Sequence, residues 1–186
     1  MDSATPDPQA PPEVVMITKK SAAIGQLEGA IYLWFDYGDP AAILTLAAAA
    51  NDCYHAMGKA KGRPAVIQAH IETLSRKEQD AARAAQNFAK HGMRDLNKRI
   101  PYLPGHGELL IFDSVLCHEH VFETLTPLMS AFEIQWVILN PRYLRSNRFA
   151  PIGHVTGEIV EVYQRLKLDR RSFLKVILPG LSETTD

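Results

Sequence analysis

The stretch Ala85 to Asp95, AQNFAKHGMRD, gathers an amide, a lysine, a histidine and an arginine around what reads as a helix end. On a helix, Asn87 and His91 are four apart and share a face, and Lys90 is three from Asn87. Arg94 follows Gly92 and can fold back over the terminus. A neutral histidine beside a phosphate-binding arginine is a general acid/base suited to RNA cleavage. His91 would take the 2′-OH proton while Arg94 and Lys90 steady the phosphorane charge, and no metal is needed. The same residues also fit a structural part, which is the preferred reading. His91 and Lys90 can satisfy the last helix carbonyls and complement the helix dipole.

Two further clusters carry chemistry-bearing side chains. In ANDCYH, Asn51 and His55 lie four apart near the end of an apolar helix, with Asp52 between them. Polar groups on a buried helix must find partners, and Asn87 or Asp113 across the bundle would serve. Such a set, comprising Asn51, His55, Asn87, Lys90 and Asp113, could bind a small ligand. A satisfied core network is the plainer expectation. In the segment ending CHEH, Asp113, Cys117 and His120 share a helix face, and with His55 could ligate a transition metal. Metal sites need three or four convergent donors, and no ExxH pair recurs on a second helix, so no metal or cofactor is expected. His118 and Glu119 are expected to point elsewhere.

A helical bundle carrying NFAKHG at a helix-to-loop junction resembles the HEPN superfamily. That resemblance implies either an RNA-cleaving enzyme or a non-catalytic nucleotide-binding relative, and a dimer. The superfamily's catalytic signature is an arginine, four to six residues, then a histidine. This chain departs from it: Arg83 lies eight positions before His91, and Asn87 holds the place where an arginine would sit. The stretches AIYLWFDYGDPAAILTLAAAA and QNFAKHGMRD also resemble a group of uncharacterised bacterial proteins, which implies no activity.

Bulk properties narrow the partners. The chain has 186 residues, is 46% hydrophobic and 22% charged, and carries a net charge of −1. That suits one soluble domain. A protein that coats duplex nucleic acid usually carries a basic excess. Any contact with RNA or a nucleotide would therefore be local, through clusters such as Lys90, Arg94, Lys98 and Arg99, or Arg142, Arg145 and Arg148, or Arg165 to Lys175. Scattered, these are solubilising charge, which is the favoured reading. Cys53 and Cys117 form no CxxC pair, which suits a reducing cytoplasm. There is no signal-peptide pattern and no apolar run long enough to span a bilayer, so a cytoplasmic protein without membrane contact is expected.

The elements that would position these residues read as helices. Residues 1–16 are Pro-rich and acidic and are expected to be a disordered arm. Thr18 or Ser21 can cap a first helix with a stripe of Ile24, Leu27, Ile31 and Trp34, ended by Gly38. Asp39-Pro40 opens an alanine-rich central helix, which Gly58 closes. A short helix over Ala65 to Ser75 follows. The Ser75/Glu78 capping box then starts a helix with Ala82, Ala85, Phe88 and Ala89 on its apolar face, running to Gly92. Residues 93–107 read as a long loop. Two more helices would bury Leu109, Phe112 and Leu116, then Leu128, Met129, Phe132, Trp136 and Leu139. The tail reads as one or two amphipathic helices, with Phe173, Val176 and Ile177 inward and Pro179-Gly180 as its end. The expected fold is all-α: four to five long helices in one bundled domain over residues 17–181. The expected function is a non-catalytic interaction or ligand-binding domain that self-associates, since Tyr32, Trp34, Phe35 and Tyr37 crowd the first helix on more than one side. The alternative is a metal-independent HEPN-like nuclease using His91, Arg94 and Lys90.

Overall fold

The computed structural model describes residues 15–90, 97, 99–140 and 168–183. Among these residues the chain is all-helical, with eight helices and no strand. They are α1 (Lys19–Phe35), α2 (Pro40–Ala60), α3 (Val66–Glu72), α4 (Arg76–Ala82), α5 (Ala84–Lys90), α6 (Pro104–Phe122), α7 (Pro127–Leu139) and α8 (Arg170–Glu183). Three of these, α3, α4 and α5, are only seven residues long. Residues 1–14 of the expected arm, 1–16, lie outside the described residues.

The helices start where short polar side chains answer free backbone N–H groups. Thr18 caps α1 in a reciprocal box with Ser21. Asp39 accepts from Ala41 and Ala42 N–H, both at 2.9 Å, with Pro40 in the first turn. Thr126 accepts from Met129 N–H ahead of α7. Ser75 and Glu78 box α4. Each cap satisfies donors that a helix start otherwise leaves open, worth about 1 kcal/mol.

The ends are less regular than expected. At the end of α1 it is Tyr37, not Gly38, that takes the left-handed conformation, at φ 56°. Gly38 N–H reaches back to the Leu33 carbonyl at 2.8 Å, as in a Schellman close. A β-carbon there would meet the Leu33 side chain at 2.9 Å, which is why glycine holds the position. Gly58 does not close α2, which runs on to Ala60. The left-handed turn falls at Gly62, φ 75°. The expected single helix after Ser75 breaks at Arg83 into α4 and α5, and Gln86 rather than Phe88 is its buried residue. The expected stop at Pro179-Gly180 is also overturned: α8 carries Pro179 inside it and continues to Glu183. Pro179 only withholds a donor from the carbonyl one turn earlier.

α2 lies at the centre, packed between α1 and α6, with α3 and α5 also against it. Its alanines at 47, 48 and 50 are buried and let the neighbouring helices approach closely. α7 packs on α1, α6 and α8. Aromatic contacts join these layers: Trp34 meets Phe132 edge-on at 4.8 Å, Phe112 stacks on Trp136 at 3.9 Å, and Phe35 stacks on Phe173 at 6.4 Å. Three residues expected inward are not. Leu109 is 39% exposed, Leu139 50% and Val176 58%, since each helix buries an arc set by its neighbours.

Gly58 faces the tightest approach in the fold. A β-carbon there would sit 2.3 Å from the Arg63 carbonyl oxygen and 2.9 Å from Cys117 Sγ. Gly58→Ala should therefore cost about 1–3 kcal/mol in urea denaturation. Gly25→Ala, on the exposed side of α1 with nothing within 4 Å, should gain about 0.5–1 kcal/mol. Equal effects at the two sites would contradict the packing at Gly58.

Candidate functional site

Of the polar side chains singled out on α2 and α6, Asn51 and Asp113 meet, in a buried seam where α2, α3 and α6 converge. Asp113 is its anchor. Its Oδ1 accepts from Val66 N–H at 2.8 Å, and its Oδ2 accepts from Ile67 N–H at 3.0 Å and Asn51 Nδ2 at 3.1 Å. The carboxylate thus caps α3 from another helix, where Ala65 supplies no side-chain cap of its own. Asn51 also donates to Ser114 Oγ at 3.1 Å, and Ser114 Oγ donates to the Leu110 carbonyl. Asn51 Oδ1 is buried without a partner.

One turn along, Tyr54 and His118 are 2.8 Å apart between hydroxyl and Nδ1. Burial, then the charge of Lys20, pushes the His118 imidazole down to about 4. Burial foremost, with Glu28 and two cysteines behind it, raises the Tyr54 phenol. Both groups are therefore neutral near pH 7, and one hydrogen bond joins them. His118 does point away from the Asp113, Cys117, His120 face, and it is buried and paired. Its signal in the sequence was its place seven residues after Ile111, on the same apolar face.

His55 does not join Asp113. Its Nδ1 faces the Ala65 carbonyl at 3.3 Å and its Nε2 faces Glu72 Oε1 at 3.1 Å. Lys59 also binds Glu72, at 3.0 Å, and the lysine and then His55 hold the Glu72 carboxyl below its ordinary value. Asp52 takes Gln68 and Gln86 instead. Asn87 is exposed, so it does not complete the set across the bundle; Gln86, its neighbour, reaches the seam through Asp52.

The face Asp113, Cys117, His120 is likewise divided. Cys117 Sγ–H points at the Tyr54 carbonyl, 3.2 Å away, and burial raises its thiol to about 11. His120 Nδ1 is 3.2 Å from Arg63. No group of three or more metal-ligating side chains converges among the described residues. His91, Arg94 and the side chain of Lys90 lie outside the described residues.

A second region was not anticipated. The C-terminal half of α1 and one face of α8 border an open cleft of about 730 Å³, lined by Tyr32, Phe35, Leu174, Leu178 and Pro179, with Asp36, Arg171, Lys175 and Ser182 among them. The sequence held a signal for it. Leu174 and Leu178 form an apolar pair four apart, beside the Phe173, Ile177, Leu181 strip that packs on the core. The basic cluster here is mostly spoken for. Arg170 pairs with Glu108 at 2.9 Å and lies 3.9 Å over the Trp34 ring, and Arg171 pairs with Asp36 at 2.7 Å. Trp34 and Phe35 are fully buried within the chain, while Tyr32 and Tyr37 are exposed.

No protein-family model matches the chain, and neither curated proteins nor solved structures give a match. No helix among the described residues is long and apolar enough to cross a membrane.

Two outcomes follow from the buried polar groups. Asp113→Ala leaves two backbone donors and the Asn51 amide without their acceptor, and should cost about 2–4 kcal/mol by urea denaturation, with Asp113→Asn losing less. Elsewhere, burial and then Glu119 push the Glu133 carboxyl on α7 up to about 7. The folded chain then holds a proton that the unfolded chain has released, so stability falls as pH climbs from the ordinary glutamate range through about 7. His118, displaced downward, acts oppositely: its contribution is complete above the ordinary histidine range and is lost as pH falls toward 4. Glu133→Gln should remove only the first slope. Its stability advantage over wild type should be flat below about pH 4, grow from there through about pH 7 and level off above about pH 8.

Proposed function

We propose that this chain is a non-catalytic helical domain that binds a small, largely apolar ligand in the cleft between α1 and α8. The observation that carries the reading is the cleft itself. Its volume of about 730 Å³ and its mainly apolar lining are those of a small-molecule site. The polar seam around Asp113 supports the reading from the other side. Asp113 and His118 are buried and directed at other helices, so they serve the fold rather than a substrate.

Self-association belongs to the same reading. Leu103 and Leu109 stand exposed at a second hollow that Trp136 also lines, an apolar surface of the sort that a second copy covers.

The test is titration with a neutral polarity-sensitive dye, read by fluorescence. Wild type should bind one dye per chain, and Ser182→Trp or Leu178→Glu, which fill or charge the cleft, should weaken binding at least about tenfold. Sedimentation velocity on the same samples should show a species heavier than 20.7 kDa. Undiminished dye binding in both cleft variants would refute the site. RNA cleavage by wild type that His91→Ala abolishes would replace this reading with the nuclease.

A further inference from the structure

We propose that the cleft selects a single-chain amphiphile with a carboxylate head, its chain laid along Tyr32, Leu174 and Leu178 and its head at Lys175. This rests on the ligand-binding reading above and adds the chemical class of the ligand.

Three features point there. The first is shape. Arg171, Leu174, Lys175, Leu178, Pro179 and Ser182 follow one another at helical spacing, so they make one continuous wall along α8. A wall of that form suits a molecule longer than it is wide. Tyr32 and Phe35, one helical step apart on α1, face it.

The second is the position of the apolar surface. Leu174 and Leu178 occupy adjacent turns, and Pro179 adds a ring that presents no N–H. Polar groups break in at Arg171 and Asp36, at Lys175 and at Ser182. The Ser182 hydroxyl already donates to the Leu178 carbonyl at 3.0 Å, so it offers little to a ligand.

The third is charge. The lining holds Arg171, Lys175 and Asp36. Arg171 spends its guanidinium on Asp36, Nε to Oδ1 at 2.7 Å and Nη2 to the Asp36 carbonyl at 2.7 Å. That pair is neutral. Among the described residues the Lys175 ammonium enters no ion pair, and it stands beside Leu174 and Leu178 on an exposed position of the helix. Among the described residues the cleft therefore carries one uncompensated positive charge next to an apolar strip. A carboxylate on an alkyl chain complements both, whereas a quaternary ammonium on the same chain would be repelled.

Calorimetric titration with dodecanoate and dodecyltrimethylammonium below their micelle concentrations, and with dodecanol below its solubility limit, reads the head group directly. Wild type should prefer dodecanoate to dodecanol by about fivefold, the size of one exposed ion pair, and bind the ammonium weakest. Lys175→Gln should erase that preference without changing dodecanol binding, and Lys175→Arg should keep it. If dodecanol and dodecanoate bind wild type equally, or the preference survives Lys175→Gln, the head-group inference fails while the cleft remains a ligand site. If none of the three binds and the neutral dye is indifferent to Ser182→Trp, both fall together.

Discussion

The fold turns on one buried carboxylate. Asp113 sits in the middle of α6 and ties three helices through three accepted hydrogen bonds, two of them from the first turn of α3. An ionised carboxylate in such a place is tolerable only because both oxygens are answered, and the dipole of α3 points its positive end at them. The consequence runs outward. Once Ala65 and Val66 are fixed against α6, the return loop after α2 must pass close by, and the Arg63 carbonyl falls over Gly58. Only a residue without a side chain fits there. The close passage also brings Cys117 within 3.2 Å of the Tyr54 carbonyl. One charge on one helix thus sets the spacing that the alanines of α2 make sterically possible.

α7 carries the opposite kind of polarity. It is buried over nearly its whole length, including Glu133 and Gln135. Glu133 Oε1 and Gln135 Oε1 have no hydrogen-bond partner. The chain resolves the conflict at Glu133 by keeping the proton, which burial and Glu119 favour. Both oxygens of Asp113 are answered by N–H donors, whereas burial pushes the Glu133 carboxyl toward its protonated form. The two differ because Asp113 faces the N–H groups of a helix start and Glu133 does not.

How much of this could be read from the sequence follows the range of the forces involved. Helix starts were legible at Thr18, Asp39-Pro40 and Ser75, because a cap acts within three residues of itself. The all-helical class was legible from the spacing of apolar residues. Contacts across the chain were legible only in part. Asn51 and Asp113 were expected as partners and are bonded, but the offered alternative, Asn87, is exposed, and its neighbour Gln86 is buried instead. The difference lies in the break at Arg83, which turns α5 relative to α4. Arg83 reaches Gln68 on α3 at 3.2 Å, a tertiary bond with no local signature. Leu109 and Leu139 misled for a related reason. Periodicity tells which face of a helix is apolar, but where a helix such as α6 is apolar almost all round, the neighbours choose the face. Pro179 misled because a proline ends a helix only when no packing repays the lost hydrogen bond, and α8 is held by Phe173, Ile177 and Leu181 on the core.

That same packing explains why an open cleft can exist beside the core of the described residues. Phe173 is fully buried and stacks on Phe35, and Ile177 and Leu181 continue its strip one turn at a time. This strip already holds α8 in place, with Arg170 fastened to Glu108 and Arg171 to Asp36 at its first turn. Leu174 joins that docking, and Leu178 widens the apolar arc of α8 beyond what the docking uses. The surplus remains in contact with water, and covering it gains roughly 25 cal/mol per Å² of apolar surface removed from solvent. Because the helix is anchored independently, a ligand need not order it, so little of that gain is spent on folding. A site built this way is open and preformed, and it is separated in its energetics from the Asp113 seam on which the rest of the bundle depends.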